Sequence, residues 1–348
     1  MTSFGSVVDL FCGAGGLSHG FLMEDFTVSA GIDIDEDCRF PFEHNNHAPF
    51  IRRDVGELYG SDIMSLFVPD QPRILVGCAP CQPFSSYNQK NDDPSWRLLG
   101  DFGRLISETH PDIVSMENVP RLVDFRDGAV FKDFVTLLER EGYLKSWKVV
   151  FTPEYGVPQR RSRLVLLASR FGDIELVPPD LMPDCYPTVE SAIGDLPTLR
   201  AGEVDQLDSL HRASTLSDIN LQRIRVARPG GTWKDWPEAL ITNCHKASSG
   251  RTYGSVYGRM VWDGLAPTIT TQFYGFGNGR FGHPEQDRAL SLREGAILQS
   301  FPPRYEFVQP GDPVHFKKIG RMIGNAVPVL LGRAIARSIK DHLKDYRE

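Results

Sequence analysis

The sequence predicts an α/β fold, a mostly parallel sheet with helices on both faces, followed by a smaller irregular region. Three observations carry this. From residue 5 to 170, short apolar runs of strand length alternate with helix-sized intervals. A glycine cluster stands directly between the first apolar run and the stretch after it. From about 171 to 285 the chain turns to Pro, Gly, Ser and aromatic residues with little helical period, as in "DIELVPPDLMPDCYP" and "RPGGTWKDWP".

Taken in order, "SVVDL" is the first strand and "LSHGFLM" the helix that follows it; "FTVSAGID" is the second strand, closing on Asp33. A short third strand precedes "RRDVGEL", and "RILVGC", "PDIVSM", "WKVVF" and "RLVLLAS" supply the rest. "RALSLREGAILQSF" reads as helical, and "KKIGRMIGNAVPVLLGRAIARSIKDHLKDY" ends with helix period and last-turn cations. The expected division is a first part over 1–175, a small irregular part over 176–285, and a last part over 286–348.

The 348 residues, 41% of them hydrophobic, are enough for a substantial core. No basic flank with a long apolar run opens the chain, and no stretch approaches a membrane span, so a cytoplasmic, nucleoid-associated protein without membrane contact is expected. Six scattered cysteines suit a reducing compartment. The net charge of −7 hides an asymmetry: residues 1–70 hold 3 Lys+Arg against 12 Asp+Glu, whereas residues 211–260 hold 8 against 3. A locally basic surface is what phosphate contact requires, although charge scattered over solvated faces fits equally.

In "VVDLFCGAGGLSHGF", Gly13, Gly15 and Gly16 let the backbone approach a ligand at a helix N-terminus. Asp33, 20 positions after Gly13, has the spacing of a carboxylate that meets ribose hydroxyls. The third position of a dinucleotide fingerprint falls on Ser18, which favours an adenosine cofactor other than a nicotinamide or flavin. Asp54 could then accept the adenine amino group. A tight turn with a capping aspartate remains the alternative.

"GCAPCQPFSS" admits three readings. A zinc site lacks its second pair of ligands, since Cys185 and Cys244 stand alone, and no metal is expected. A redox dithiol is allowed by spacing, but Pro83 and a polar run prevent the helix such motifs open. A single reactive thiol at Cys81, beyond a strand that ends on a packed Cys78, is favoured by its company. Glu117 and Asn118 follow one apolar run, and Gln159, Arg161 and Arg163 lead into another.

These residues closely resemble the DNA cytosine-5 methyltransferases, of the bacterial restriction-modification type. "DLFCGAGGLS", "GCAPCQPFS", "ENVP", "QRRSR", "RALSLREGAILQSFP" and "IGNAVP" are similar to that family's first, fourth, sixth, eighth, ninth and tenth motifs, in order. The resemblance covers about 1–170 and 285–335. It implies a Rossmann-like sheet that binds S-adenosyl-L-methionine, with Phe11 against the adenine, Asp33 and Ile34 around ribose and adenine, Asp54 and Val55 near the adenine, and Pro80, Leu98 and Asn325 along the cleft. It also implies double-stranded DNA as substrate, a monomer, and a restriction endonuclease acting separately.

By the same resemblance, Cys81 adds to carbon 6 of a flipped-out cytosine. Glu117 holds N3 and the exocyclic amine, Arg163 the O2 side, and Arg161 biases the thiol toward thiolate or binds a phosphate. The run "SSYNQKNDDPSWR" would close over DNA, or be an ordinary surface loop. Gln82, Ser85, Arg223, Arg225, Arg228, Arg251 and Arg259 are the candidates for DNA contact, with solvated basic loops as the alternative. Ala79 stands where many members carry proline or an aromatic, and Asp33 where glutamate is frequent. A transfer-RNA cytosine methyltransferase, an inactive DNA-binding module and a redox protein are the competing functions.

Overall fold

The computed structural model describes residues 3–80, 94–248, 250 and 253–346. The chain divides into two compact units. The first comprises residues 1–155, 162–180 and 326–348, and the second residues 156–161 and 181–325. Residues 286–325 therefore go with the second unit, while the last helix goes with the first.

In the first unit the described strands form one sheet. They are β1 (Ser6–Leu10), β2 (Thr27–Asp33), β3 (Phe50–Arg52), β4 (Arg73–Gly77), β5 (Ile113–Asn118), β6 (Leu144–Phe151) and β7 (Ser162–Ser169), in the order β3-β2-β1-β4-β5-β7-β6. β1 to β5 pair in parallel, and β1 is buried along its whole length, as a central strand covered on both faces must be. β7 runs antiparallel to both β5 and β6. Only ten residues separate β6 from β7, too few for a helical crossover, so the chain turns back. This reversal brings the start of β7 to the edge where β5 ends, with Asn118 paired to Leu164.

Helices α1 (Gly16–Leu22), α2 (Arg39–Asn46), α3 (Gly60–Met64), α4 (Leu98–Thr109) and α5 (Ala129–Arg140) fill the intervals between strands. Leu10, Ile32, Leu75, Met116 and Leu166 from the sheet pack with Phe102, Leu105 and Phe134 from α4 and α5 in one core. The last helix, Val329–Asp345, returns to α1. A Cβ on Gly20 would meet Gly332 carbon at 2.4 Å and Arg333 nitrogen at 2.3 Å, so the two backbones touch where only glycine fits. Glu24 beside α1 fixes the same crossing through Arg333 at 2.8 Å and Lys340 at 3.4 Å.

The second unit is built from short helices, α6 (Val189–Ile193), α7 (Asp218–Val226), α8 (Asn243–Lys246), α9 (Leu292–Leu298) and α10 (Phe316–Asn325), joined by isolated bridges such as Pro229 to Arg259 and Arg259 to Gly282. Ile224, Trp233, Trp236 and Phe276 form an aromatic core. The expected helix over 288–301 is shorter than read, because Ser291 caps it: its hydroxyl accepts from Glu294 N–H while Glu294 accepts from Ser291 N–H. Buried Glu294 also takes two bonds from Arg288, at 2.6 and 2.7 Å. Burial pushes the Glu294 carboxyl up, but these bonds outweigh it and hold the group below its ordinary value. Among the described residues no helix is long and apolar enough to cross a membrane, and no group of His, Cys, Asp and Glu could hold a metal ion.

Candidate active site

The parallel strands of the first unit all end at one sheet edge, and in such sheets ligands bind beyond the carboxyl ends. Phe11, Asp33, Asp54, Cys78 and Glu117 lie at these ends, and the antiparallel β7 begins there with Arg163. The loop after β1 is left-handed at Phe11 (φ 59°), Gly13 (φ 50°) and Gly15 (φ 87°). Phe11 is a bulky residue in a conformation that side chains rarely adopt, a cost accepted chiefly where a loop must hold one shape.

Asp33 accepts from Gly13 N–H through Oδ2 and from Asp35 N–H through Oδ1, each at 2.9 Å, so the carboxylate is fixed by the loop it faces. Burial raises its pKa above the ordinary carboxylate value, against the lowering effect of those bonds. Beneath the loop, buried Asp9 accepts from the Ser18 hydroxyl at 2.6 Å, and its pKa is pushed up to about 7, first by burial. Among the described residues, a Cβ on Gly13 would meet nothing within 4 Å. Ile34 is 63% exposed beside the loop, an apolar side chain at the strand end. Asp54 accepts from Gly56 N–H through Oδ1 at 2.9 Å, which leaves Oδ2 without a hydrogen bond among the described residues. These residues fit an adenosine: carboxylate lone pairs for hydroxyls and an amino group, apolar Ile34 and half-buried Phe11 for the ring.

Other cofactor candidates distribute unevenly. Gly15 caps α1 and Gly16 opens it. The Val55 side chain is buried in the core, which leaves only its main chain to face a ligand. Pro80 and Leu98 are half-buried in the first unit, whereas Asn325 is exposed at the end of α10 in the second.

The reactive constellation is centred on Glu117, 2% exposed at the end of β5. Arg163 Nε lies 3.0 Å from Glu117 Oε1, with the Arg163 side chain 12% exposed. The pair is close, yet the N–H direction misses hydrogen-bond alignment, and among the described residues Oε1 receives no hydrogen bond. The other oxygen, Oε2, accepts from the Cys78 thiol at 2.9 Å. Asn118 donates through Nδ2 to Ala79 carbonyl at 3.0 Å and accepts from Val119 N–H at 2.8 Å, which ties the turn after β4 to the end of β5. Cys81, Gln82, Ser85 and Arg251 lie outside the described residues, as does most of the expected closing loop.

Two arginines expected to act on substrate have other partners. Arg161 precedes β7 and belongs to the second unit; its buried guanidinium donates to the carbonyls of Ile269 at 3.1 Å and Gly324 at 3.4 Å. Arg259, read as a DNA contact, is only 5% exposed and donates to the carbonyls of Ile224, Ala227, His283 and Gln286 and to Asp287. It is a structural tie, because its donors are consumed by main chain that loops around it. Arg223 also turns inward, donating to Leu240 carbonyl at 2.9 Å and lying 5.7 Å from the ring centres of Trp236 and Tyr257. Arg225 is exposed with Asp287 at 3.6 Å, and Arg228 is exposed. Sequence reasoning passed over Cys78 as a packed residue; a thiol one position past a strand end was the available signal.

The model for the C-5 cytosine-specific DNA methylase family matches residues 5–341. Among curated relatives, the Type II methylase M.HgiDII of Herpetosiphon aurantiacus is 54% identical over 345 residues, covering 99% of this chain and 97% of that protein. The Type II methyltransferase M1.HphI of Haemophilus parahaemolyticus is 32% identical over 340 residues, covering 95% and 86%. A solved structure of a prophage-encoded E. coli protein superposes with a TM-score of 0.77 at 22% identity, covering 97% and 99%, a likeness of fold. With a buried acid–guanidinium pair at the carboxyl edge of a methyltransferase-type sheet and a family match across nearly the whole chain, the protein belongs to the C-5 cytosine-specific DNA methylases and is a DNA cytosine-5 methyltransferase.

Proposed function

We propose that the chain is the methylase of a restriction-modification pair, acting on carbon 5 of one cytosine flipped out of a specific duplex sequence, with Cys81 as nucleophile. The observation that carries the reading is Glu117: a buried carboxyl with a guanidinium against Oε1 and no hydrogen bond on that oxygen among the described residues. A buried polar atom without a donor costs stability unless a ligand supplies one, and the exocyclic amino group of cytosine is a suitable donor.

Carbon 5 of cytosine is too electron-poor to take a methyl group directly. The Cys81 thiolate adds to carbon 6, and the electron pair moves into the ring, where a Glu117 carboxyl that shares its proton with N3 takes up the charge on that side and Arg163 stabilises it at O2. After methylation the carbon-5 proton leaves and Cys81 is expelled, which restores the aromatic ring. Family and fold imply S-adenosyl-L-methionine, which when bound supplies the electrophilic methyl group. Asp33 and Asp54 would hold its ribose and adenine, and Phe11 and Ile34 its ring faces. Arg225 and Arg228, exposed in the second unit, remain available for DNA.

Incubation with cofactor and a duplex carrying 5-fluorocytosine tests this, because fluorine cannot leave as the proton does and the adduct persists. Peptide mapping should find the linkage at Cys81. Linkage at another residue, or none despite methyl transfer to ordinary duplex, overturns the assignment. Bisulfite sequencing of DNA from a methylation-free host expressing the chain reads out the target sequence.

A further inference from the structure

We propose that Cys78 is a positioning residue for the methyl-transfer site, its thiol setting the orientation of the Glu117 carboxyl. The argument rests on the reading of Glu117 as the acid that faces the base. A carboxyl group on a strand end can rotate about its last bond, and the two oxygens are then interchangeable. Here they are distinguished: Oε1 stands 3.0 Å from Arg163 Nε, and Oε2 accepts from Cys78 Sγ at 2.9 Å.

The thiol is the donor and Oε2 the acceptor, an arrangement that leaves Oε1 to face Arg163 and the base. Cys78 is itself fixed. It follows β4 immediately, its N–H donates to Leu10 carbonyl at 3.4 Å, and the next residue is bound through Ala79 carbonyl by Asn118, the neighbour of Glu117. The donor and the acid are thus carried on two adjacent parallel strands, β4 and β5, in fixed register. One of the two polar side chains placed on the carboxyl among the described residues would vanish with the thiol, and the plane presented to an incoming base would no longer be defined. Proximity of a correctly oriented group matters most in the transition state, so the effect should fall on the chemical step.

The test uses the full-length enzyme with Cys78→Ser, which keeps a donor, and with Cys78→Ala and Cys78→Val, which do not. Single-turnover methyl transfer to a substrate duplex should fall about tenfold in the Ala and Val variants, the size of one hydrogen bond to a charged group. KM for DNA and for cofactor should stay within about twofold, and Ser should recover most of the rate. Ala at the wild-type rate, or Val restoring the rate as well as Ser, overturns the proposal, the latter by assigning the role to packing. Glu117→Gln is measured alongside. A large loss there with no loss in Cys78→Ala defeats the proposal alone, whereas full activity in Glu117→Gln defeats the reading of Glu117 and the proposal with it.

Discussion

Arg163 and Glu117 form an ion pair, 3.0 Å between Nε and Oε1, across two strands that run in opposite directions. The pairing depends on the reversal of β7: in a wholly parallel sheet the start of that strand would lie at the far edge. Replacing Arg163 with Met keeps volume but removes the cation, leaving a buried acid without its partner. Methyl transfer should drop by at least about a hundredfold, the scale of losing one charge-stabilising group. Retention of more than a tenth of wild-type kcat would argue that Arg163 has no part in the chemistry.

Asp9 offers a test by pH. The native protein holds the Asp9 proton up to about pH 7, whereas the unfolded chain releases it near the ordinary aspartate value of about 3.8. The native state therefore binds more protons across that window, and stability from this group is complete below it and lost as pH climbs to about 7. Asp9→Asn keeps an acceptor for Ser18 and removes the titration. Urea melts should show the variant gaining on wild type between about pH 4 and 7 and level beyond, by about 2–4 kcal/mol in total. A pH-independent difference would contradict the account.

The buried Arg288–Glu294 pair should matter more than any surface pair. Removing one partner strands a charge that also caps α9, so Arg288→Met should cost roughly 3–5 kcal/mol. Arg104→Met, which breaks an exposed pair with Glu108 in the first unit, should cost under about 1 kcal/mol. Chemical denaturation of both variants gives the comparison, and equal losses would refute it.

Arg259 and Arg228 separate structure from recognition. Arg259→Ala should lower Tm sharply through four lost carbonyl contacts and reduce activity only as far as folding fails. Arg228→Ala should leave Tm in place, weaken DNA binding, and reduce the salt dependence of log Kd by about one unit if it meets a phosphate. Binding measured from low to moderate salt decides the matter, and an unchanged slope would remove Arg228 from the interface.

Much of the first unit could be read from sequence because its information is local. Apolar runs such as "SVVDL" and "RLVLLAS" are strands wherever a buried sheet forms, and Asp33, Glu117 and Arg163 could be placed at strand ends because those runs stop or start beside them. The antiparallel turn of β7 was not read, although the shortness of the interval before it carried the signal. Arg259 was not legible, since four carbonyls from two distant segments claim its donors and nothing beside it in sequence announces them. Cys78 escaped for a related reason: its partner is 39 positions away, and only the β4–β5 register makes them neighbours.

The glycine-to-glycine crossing of α1 with the helix Val329–Asp345 ties the start of the sheet's first unit to residues about 300 positions later in the chain. Until residues 329–345 have been made, α1 has one flank open to water, however many catalytic segments precede them. A chain cut before residue 329 should therefore lose solubility even though every motif of the chemistry is present.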